Sequence, residues 1–378
     1  MLERYDCGEI SRIWSDNNRY LLWTTIELAF LKSYKGITVS PPDIFLDEWI
    51  QKIQENESVS KHDVGAFVEW MEKDFLYPLI GAESRWVHYG LTSSDILDTC
   101  FSLQIQAANT VIYDLTTIVS LAFYNLAAEN NSVDILGRTH GQAAEAMKLS
   151  NKFFAYSDAL DFFHPSPNGY YGRLAGSVGD YKYFDKKIEE ETLYRLGLQL
   201  CPVKDGQIIH RAVYAEYMNE WALLASVVEK IATDIRLLSQ TEIGEVYEGF
   251  SGGQMGSSSM PHKKRNPIGS ENLCGLARVI RGYQATSMQN IALWNERDIS
   301  NSSVERVIFP DATVLLGFML KRLTTLAKDL VIDQNRMEYN ITQQGSSILS
   351  QKEMLGYITE GMSRDKAHDL MRDQTKSV

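Results

Sequence analysis

Apolar side chains recur at helical spacing through a long uninterrupted part of the chain. Between residues 207 and 243 there is neither proline nor glycine, and Met218, Trp221, Leu224, Ala225, Val228, Ile231, Ile235 and Leu238 follow at gaps of 3, 3, 1, 3, 3, 4 and 3. That is the period of one helix face, and it predicts a helix of roughly thirty residues, about three times the average. Residues 98–131 likewise lack proline and glycine and predict a second long helix. A third covers about 269–295, with Leu273, Leu276, Ile280 and Tyr283 on one face. A fourth opens at Pro310 and Asp311, since proline suits a first turn, and runs to about residue 330. A fifth covers 143–163 and stops before Pro165 and Pro167; short strands are expected only near 174–178. Long antiparallel helices pack as bundles, so the expected fold class is all-α. Three sections emerge: shorter helices over 1–97, with Pro41, Pro42 and Pro78; a long-helix section over 98–340; and a short tail over 341–378, helical around 351–360 and 364–374.

Composition narrows the function. Apolar residues make up 44% of the 378 and charged residues 23%, the balance of an ordered chain that buries a sizeable core. With 37 Lys and Arg against 49 Asp and Glu, the net charge is −12. A nucleic-acid partner, which needs a basic face, is not expected; a local basic pocket for a small anion stays open. Cys7, Cys100, Cys201 and Cys274 lie 93, 101 and 73 residues apart, with no CxxC pair. No zinc site is expected, and the thiols should be reduced, as in a cytoplasmic protein. The opening MLERYDCGEI lacks the apolar run of a signal peptide. The most apolar stretch, 111–126, is broken by Asp114 and threonines. It is too short and too polar to span a bilayer, so no membrane association is expected.

Polar chemistry is concentrated in five loops, and functional side chains favour loops on a rigid scaffold. Residues 249–267, GFSGGQMGSSSMPHKKRNP, place four glycines and four serines before a cationic run at His262, Lys263, Lys264 and Arg265. The segment reads as a flexible linker with a basic end, or as a mobile lid carrying a nucleophile or base and a lysine for an oxyanion. It lacks the GxxxxGKS/T spacing of a P-loop. His140, in GRTHGQ at 137–142, is a surface histidine or a general acid–base group, its pKa of about 6.5 suiting proton transfer. In VHYGLTSSDILD at 87–98, Thr92, Ser93, Ser94 and Asp95 precede a long helix, as an N-cap, an anion site, or both. In WNERDISNSSVER at 294–306, Arg297, Ser302 and Arg306 form a charged surface loop or a converging phosphate clamp. KHDVGAF at 61–67 sets His62 beside Asp63, a weak pair because neighbours on a helix point apart.

Taken in order, these segments resemble the fumarase/aspartase superfamily, and within it the branch that cleaves adenylosuccinate. GSSSMPHKKRNP is similar to the superfamily's signature GSSxMPxKxNP, and GLTSSD, GRTHGQ and WNERDISNSSVER are similar to regions of that branch. Arg4 and Tyr5 with EISRIWSDNNRYLLW match its opening, and GRLAGSVGD at 172–180 and GMSRDKAHDL at 361–370 continue the likeness through the whole chain. The resemblance implies an all-α subunit of three domains around a long central bundle, here with its C-terminal domain shortened. It implies a homotetramer whose active sites take loops from three subunits, a small-molecule substrate that is a succinyl adduct of a purine nucleotide, and no metal or cofactor. The implied reaction is β-elimination of fumarate, from adenylosuccinate to give AMP and from the succinylcarboxamide ribotide of purine synthesis to give the aminoimidazole carboxamide ribotide.

Position by position, the resemblance gives Ser257 the base role, Lys263 and Asn266 the hold on the carboxylate where charge develops, and His140 the acid that protonates the leaving nitrogen. His62 and His88 line the site, and Glu271 orients a histidine. Thr92, Ser93, Thr139, Ser258 and Gln207 bind the succinyl part, while Arg4, Tyr5, Arg297, Ser302 and Arg306 bind the phosphate. The chain also departs from the pattern. PHKKRNP is one residue longer than PHKxNP, so Lys263 and Lys264 both stand as candidates for the functional lysine. After Gln207, a usually charged run reads Arg211, Ala212, Val213, Tyr214, and contacts from that turn are expected to be lost. A sister lyase of the argininosuccinate or aspartase type has no use for the phosphate arginines. A catalytically silent scaffold has none for Ser257, His140, Lys263 and Asn266. A nucleic-acid binder using the short KKR run is at odds with the net charge.

Overall fold

The structure, a computed structural model, describes residues 2–163, 169–203, 206–250, 253, 255–260 and 265–375. α1 (Glu9–Ile13) leads into α2 (Asp16–Lys35), which Ser15 caps by accepting the Asn18 N–H and Gly36 ends in the left-handed region. α3 (Asp47–Ser60), α4 (Asp63–Trp70) and α5 (Tyr77–Ile80) follow. Next come α6 (Ser93–Glu129), a hairpin of β1 (Asp134–Thr139) and β2 (Gln142–Lys148), and α7 (Leu149–Asp161). A parallel pair, β3 (Tyr171–Gly172) with β4 (Gln199–Leu200), flanks α8 (Lys186–Leu196). α9 (Arg211–Leu238), β5 (Val246–Tyr247), α10 (Ile268–Gln289) and α11 (Ser300–Asp329) precede β6 (Val331–Ile332), which pairs with β5. α12 (Gln334–Thr342), α13 (Ser350–Thr359) and α14 (Arg364–Thr375) complete an all-α fold.

The long helices α6 and α9 and the two tail helices stand where they were expected; other expectations are revised. The helix expected over 143–163 begins only at Leu149, because Gln142–Lys148 pairs with β1, Thr139 opposite Gln142 and Asp134 opposite Lys148. Its residues are good helix formers, but His140 and Gly141, at φ 55° and 75°, make the two-residue turn whose twist suits a hairpin. No strand forms at 174–178. The Leu174 N–H goes to Glu189 at 2.7 Å, and the Ala175 and Gly176 N–H groups go to Asp95 at 2.9 and 3.2 Å. α10 ends at Gln289, short of residue 295. α11 begins at Ser300 with Pro310 inside it, because Asp298 caps its start by accepting the Ser300 N–H and hydroxyl.

Two compact units are assembled from interleaved stretches of chain. The first comprises Met1–Leu115, Phe163–Ser226 and Leu276–Leu320; the second comprises Thr116–Phe162, Val227–Gly275 and Lys321–Val378. In the first, Trp23 meets Tyr20 and Phe67 edge-on at 5.2 and 5.3 Å, and Phe67 meets Trp70 at 6.0 Å. All four rings are buried, each worth roughly 1.5–3 kcal/mol by burial. In the second, Phe123, Phe153 and Tyr156 are buried together, and the Tyr156 hydroxyl donates to Asp234 at 2.8 Å.

Candidate active site

In the first unit, a cavity of about 210 Å³ lies among α2, α6 and α11. Arg297, Ser302 and Arg306 line it, together with Asp63, Ser94 and Arg211. Ser302 and Arg306 lie one helical turn apart in the first turns of α11, and Arg297 precedes the Asp298 cap. Arg297 donates to Gln207 Oε1 at 3.1 Å, and the Gln207 amide donates to the Ser177 carbonyl. Gly206 is needed beside it: at φ 53°, an added Cβ would lie 2.5 Å from the Glu296 carbonyl. Arg306 pairs with Asp63 at 3.0 Å. Three of the five expected phosphate ligands therefore share one wall. Arg4 and Tyr5 do not line it; Arg4 is exposed, and the Tyr5 ring packs edge-on against Phe318 at 5.1 Å.

His62 is exposed and caps α4, its Nδ1 accepting the Gly65 N–H at 3.1 Å. Nδ1 lies 3.8 Å from Asp63, so the pair is loose, as expected. Thr92 and Ser93 are half-buried at the start of α6, where the Thr92 N–H donates to Asp95 at 2.8 Å. His88, at φ 57°, contacts Glu27 through both its ring and its backbone.

The turn after Gln207 does make polar contacts, contrary to expectation. Arg211 is buried and forks onto Asp98 at 2.9 and 2.6 Å, while its Nε lies 3.1 Å from Glu305. The Tyr214 hydroxyl also reaches the Asp98 carbonyl at 3.1 Å. Burial pushes Glu305 up to about 7 against the pull of Arg211, and it pushes Asp95 up to about 7 against three backbone donors. A carboxyl with a raised folded pKa contributes stability that is complete below its unfolded value, about 4, and lost as pH rises through the folded one. Stability is therefore expected to decline as pH rises from about 4 to about 7, and Glu305→Gln to reduce that slope. Denaturation scans across this range check it; an undiminished slope in the variant would exclude Glu305 as a source.

In the second unit, Thr139 and His140 are exposed at the tip of the β1–β2 hairpin. Next to that tip, Arg138 forks onto the fully buried Glu245 at 2.8 and 2.9 Å, and Asn340 adds a bond to Glu245 at 2.8 Å. Ser257 is half-buried and Ser258 exposed. Ser257 Oγ accepts the Met260 N–H at 3.2 Å and the Ser259 N–H at 3.4 Å. Such donors favour the charged form of an oxygen. The Asn266 amide donates to the Gly256 carbonyl at 2.6 Å, closing the loop. Glu248 caps α10, accepting the Gly269 N–H at 3.0 Å and the Ser270 N–H and hydroxyl at 2.6 Å. Glu271 is exposed on an open pocket with Asn266, Arg236 and Arg265, and among the described residues it makes no hydrogen bond to a histidine. Lys263 and Lys264 lie outside the described residues.

Glu27, Asp98, Arg211, Glu245 and Glu248 were not singled out as functional from sequence. Their trace there is an acid or base within an apolar run, as in WTTIELAF around Glu27; their partners are distant in the chain.

A lyase family model matches residues 46–282. Adenylosuccinate lyase of Bacillus subtilis (strain 168) is 38% identical over 384 residues, covering 98% of this chain and 87% of the relative. The chain belongs to the adenylosuccinate lyase family. Its members include the enzyme of Aquifex aeolicus (strain VF5), 38% identical over 386 residues and covering 98% and 87%. The family lies within the fumarase/aspartase superfamily, and the chain is a lyase. Solved structures repeat the fold of this adenylosuccinate lyase family member at low identity. A fumarate lyase from Mesorhizobium sp. BNC1 has a TM-score of 0.82 at 20% identity, covering 98% of this chain and 86% of that one. A 3-carboxy-cis,cis-muconate lactonizing enzyme from Pseudomonas putida has 0.79 at 23%, covering 98% and 85%.

Proposed function

We propose that the chain is an adenylosuccinate lyase, releasing fumarate from adenylosuccinate to leave AMP and from the succinylcarboxamide ribotide to leave the aminoimidazole carboxamide ribotide. What carries the choice of a phosphorylated substrate is the single wall bearing Arg297, Ser302 and Arg306. Ser257 takes the proton from the carbon beside a carboxylate of the succinyl group. The electron pair forms the new C=C bond as the C–N bond breaks, and His140 gives a proton to the departing nitrogen. Lys263 and Asn266 hold the carboxylate that gathers charge, where electrostatic stabilisation is worth most. His62 and His88 line the site, Glu271 orients a histidine, Thr92, Ser93, Thr139, Ser258 and Gln207 hold the succinyl part, and Arg4 and Tyr5 join the phosphate ligands.

The active form in this reading is a cytoplasmic homotetramer whose sites combine loops of three copies. Support comes from Ile118, Leu121 and Tyr124, which leave a row of apolar side chains on α6 about half exposed, at 47%, 56% and 53%, as a surface to be covered by another copy would. The stretch 111–126 lies within α6, which by length and composition alone is long and apolar enough to cross a membrane, contrary to its reading as too short and too polar.

Loss of adenylosuccinate absorbance and appearance of fumarate test the reaction. Arg297→Ala is expected to raise KM about 10- to 100-fold, the worth of a charge-assisted hydrogen bond, with a smaller change in kcat. Cleavage of argininosuccinate or aspartate in place of adenylosuccinate, or an unchanged KM, would overturn the phosphate assignment.

A further inference from the structure

We infer that Glu27 is a positioning residue for the reaction, its buried carboxylate holding both the ring and the backbone of His88 so that Nε2–H faces the anionic substrate as a fixed cationic donor. This rests on the reading of His88 as a lining residue. Glu27 sits midway along α2 and is fully buried. A lone carboxylate there is costly unless it is paired, and Glu27 gives both its oxygens to one residue. Oε1 lies 2.5 Å from His88 Nδ1, and Oε2 accepts the His88 N–H at 3.0 Å.

The backbone of His88 makes the arrangement specific. At φ 57° it occupies the left-handed region that glycine and asparagine favour. The bond from its own N–H to Glu27 holds it there while the ring is anchored by the same group. Nδ1 is thereby committed as a donor, which leaves Nε2 as the ring's other nitrogen. The side chain is 19% exposed, so the ring lies between a buried anion and the surface. Four residues on, Thr92 and Ser93 begin α6, and helix starts favour anions. The charged groups facing the ring are Glu27 from α2 and Asp95 from α6. Burial alone would lower the His88 pKa; Glu27 and then Asp95 outweigh it and raise it, favouring the imidazolium.

The test follows the His88 ring by NMR in histidine-labelled full-length protein, its signal identified by loss in His88→Gln. Glu27→Gln keeps the shape and removes the charge. Its His88 midpoint is expected to fall by about one pH unit or more, and KM for adenylosuccinate to rise about 10- to 100-fold with kcat changed less. Glu27→Asp keeps the charge on a shorter arm, should fold if the glutamine variant does not, and is expected to move both readouts the same way by less. A midpoint unchanged in the variants, or a shifted midpoint with KM unchanged, overturns the inference. A native protein that does not cleave adenylosuccinate, yet shows the midpoint shift, would overturn the proposed substrate and leave the Glu27–His88 coupling standing.

Discussion

Ser257→Ala is expected to lower kcat/KM for adenylosuccinate about 10²–10⁴-fold, the worth of a positioned general base. A serine hydroxyl is a poor base in water and needs its charged form stabilised before it can take a carbon-bound proton. The N–H groups of Ser259 and Met260 already point at Oγ, at 3.4 and 3.2 Å. Alanine removes only that oxygen, from a half-buried loop position, so folding should be unaffected. Fumarate release measured beside a thermal melt separates the outcomes. Near-native rates in a folded variant would mean that the base lies elsewhere; a lost rate with a native melt places it on this loop.

Arg211→Met is expected to destabilise the first unit by about 3–5 kcal/mol, because the buried Asp98 carboxylate then loses its cation. Asp98 takes both ends of the guanidinium fork and also the Ile209 N–H at 2.9 Å, and Glu305 faces Nε. Arg211→Lys should recover only part of this, since an ammonium cannot make the fork's parallel bonds. Denaturant midpoints of the three proteins give the comparison. A loss below about 1 kcal/mol, the range of solvent-screened pairs, would mean that water reaches the network and shares its charge. Glu305 lies in the same helical stretch as Ser302 and Arg306, so the loss should also blunt binding through the proposed phosphate ligands.

What could be read from sequence followed locality. α9 announces itself by its apolar period, and α6 by a long run without proline or glycine. The first residues of 143–163 mislead because Ala, Glu, Met and Lys favour a helix, whereas the strand they form depends on β1 and on left-handed residues at 140 and 141. Pro310 misleads in the opposite way: the start of α11 is decided by the Asp298 cap, and the proline is accommodated further along. The candidate ligands Arg297, Ser302 and Arg306 were legible as a motif because one short segment carries all three. Glu27 was not, since its partner His88 is 61 residues away and nothing local links them. The turn at Arg211 was misjudged for a related reason: its neighbours had become apolar, but Asp98 and Glu305, which give the arginine its place, come from other helices.

The interleaving of the two units bears on how the chain is made. Neither unit is a continuous stretch: the first draws on residues up to Leu320 and the second on residues beyond it. At the usual synthesis rate of about 5–20 residues per second, the α2 aromatics wait on the order of ten seconds or more for their last partners to leave the ribosome. During that interval Tyr20, Trp23 and Phe67 belong to an unfinished structure, of the kind that chaperones hold. A gene cut after residue 97 divides the first unit and one cut after residue 340 divides the second, so splitting this protein into expressible halves calls for co-expression of the pieces rather than for either piece alone.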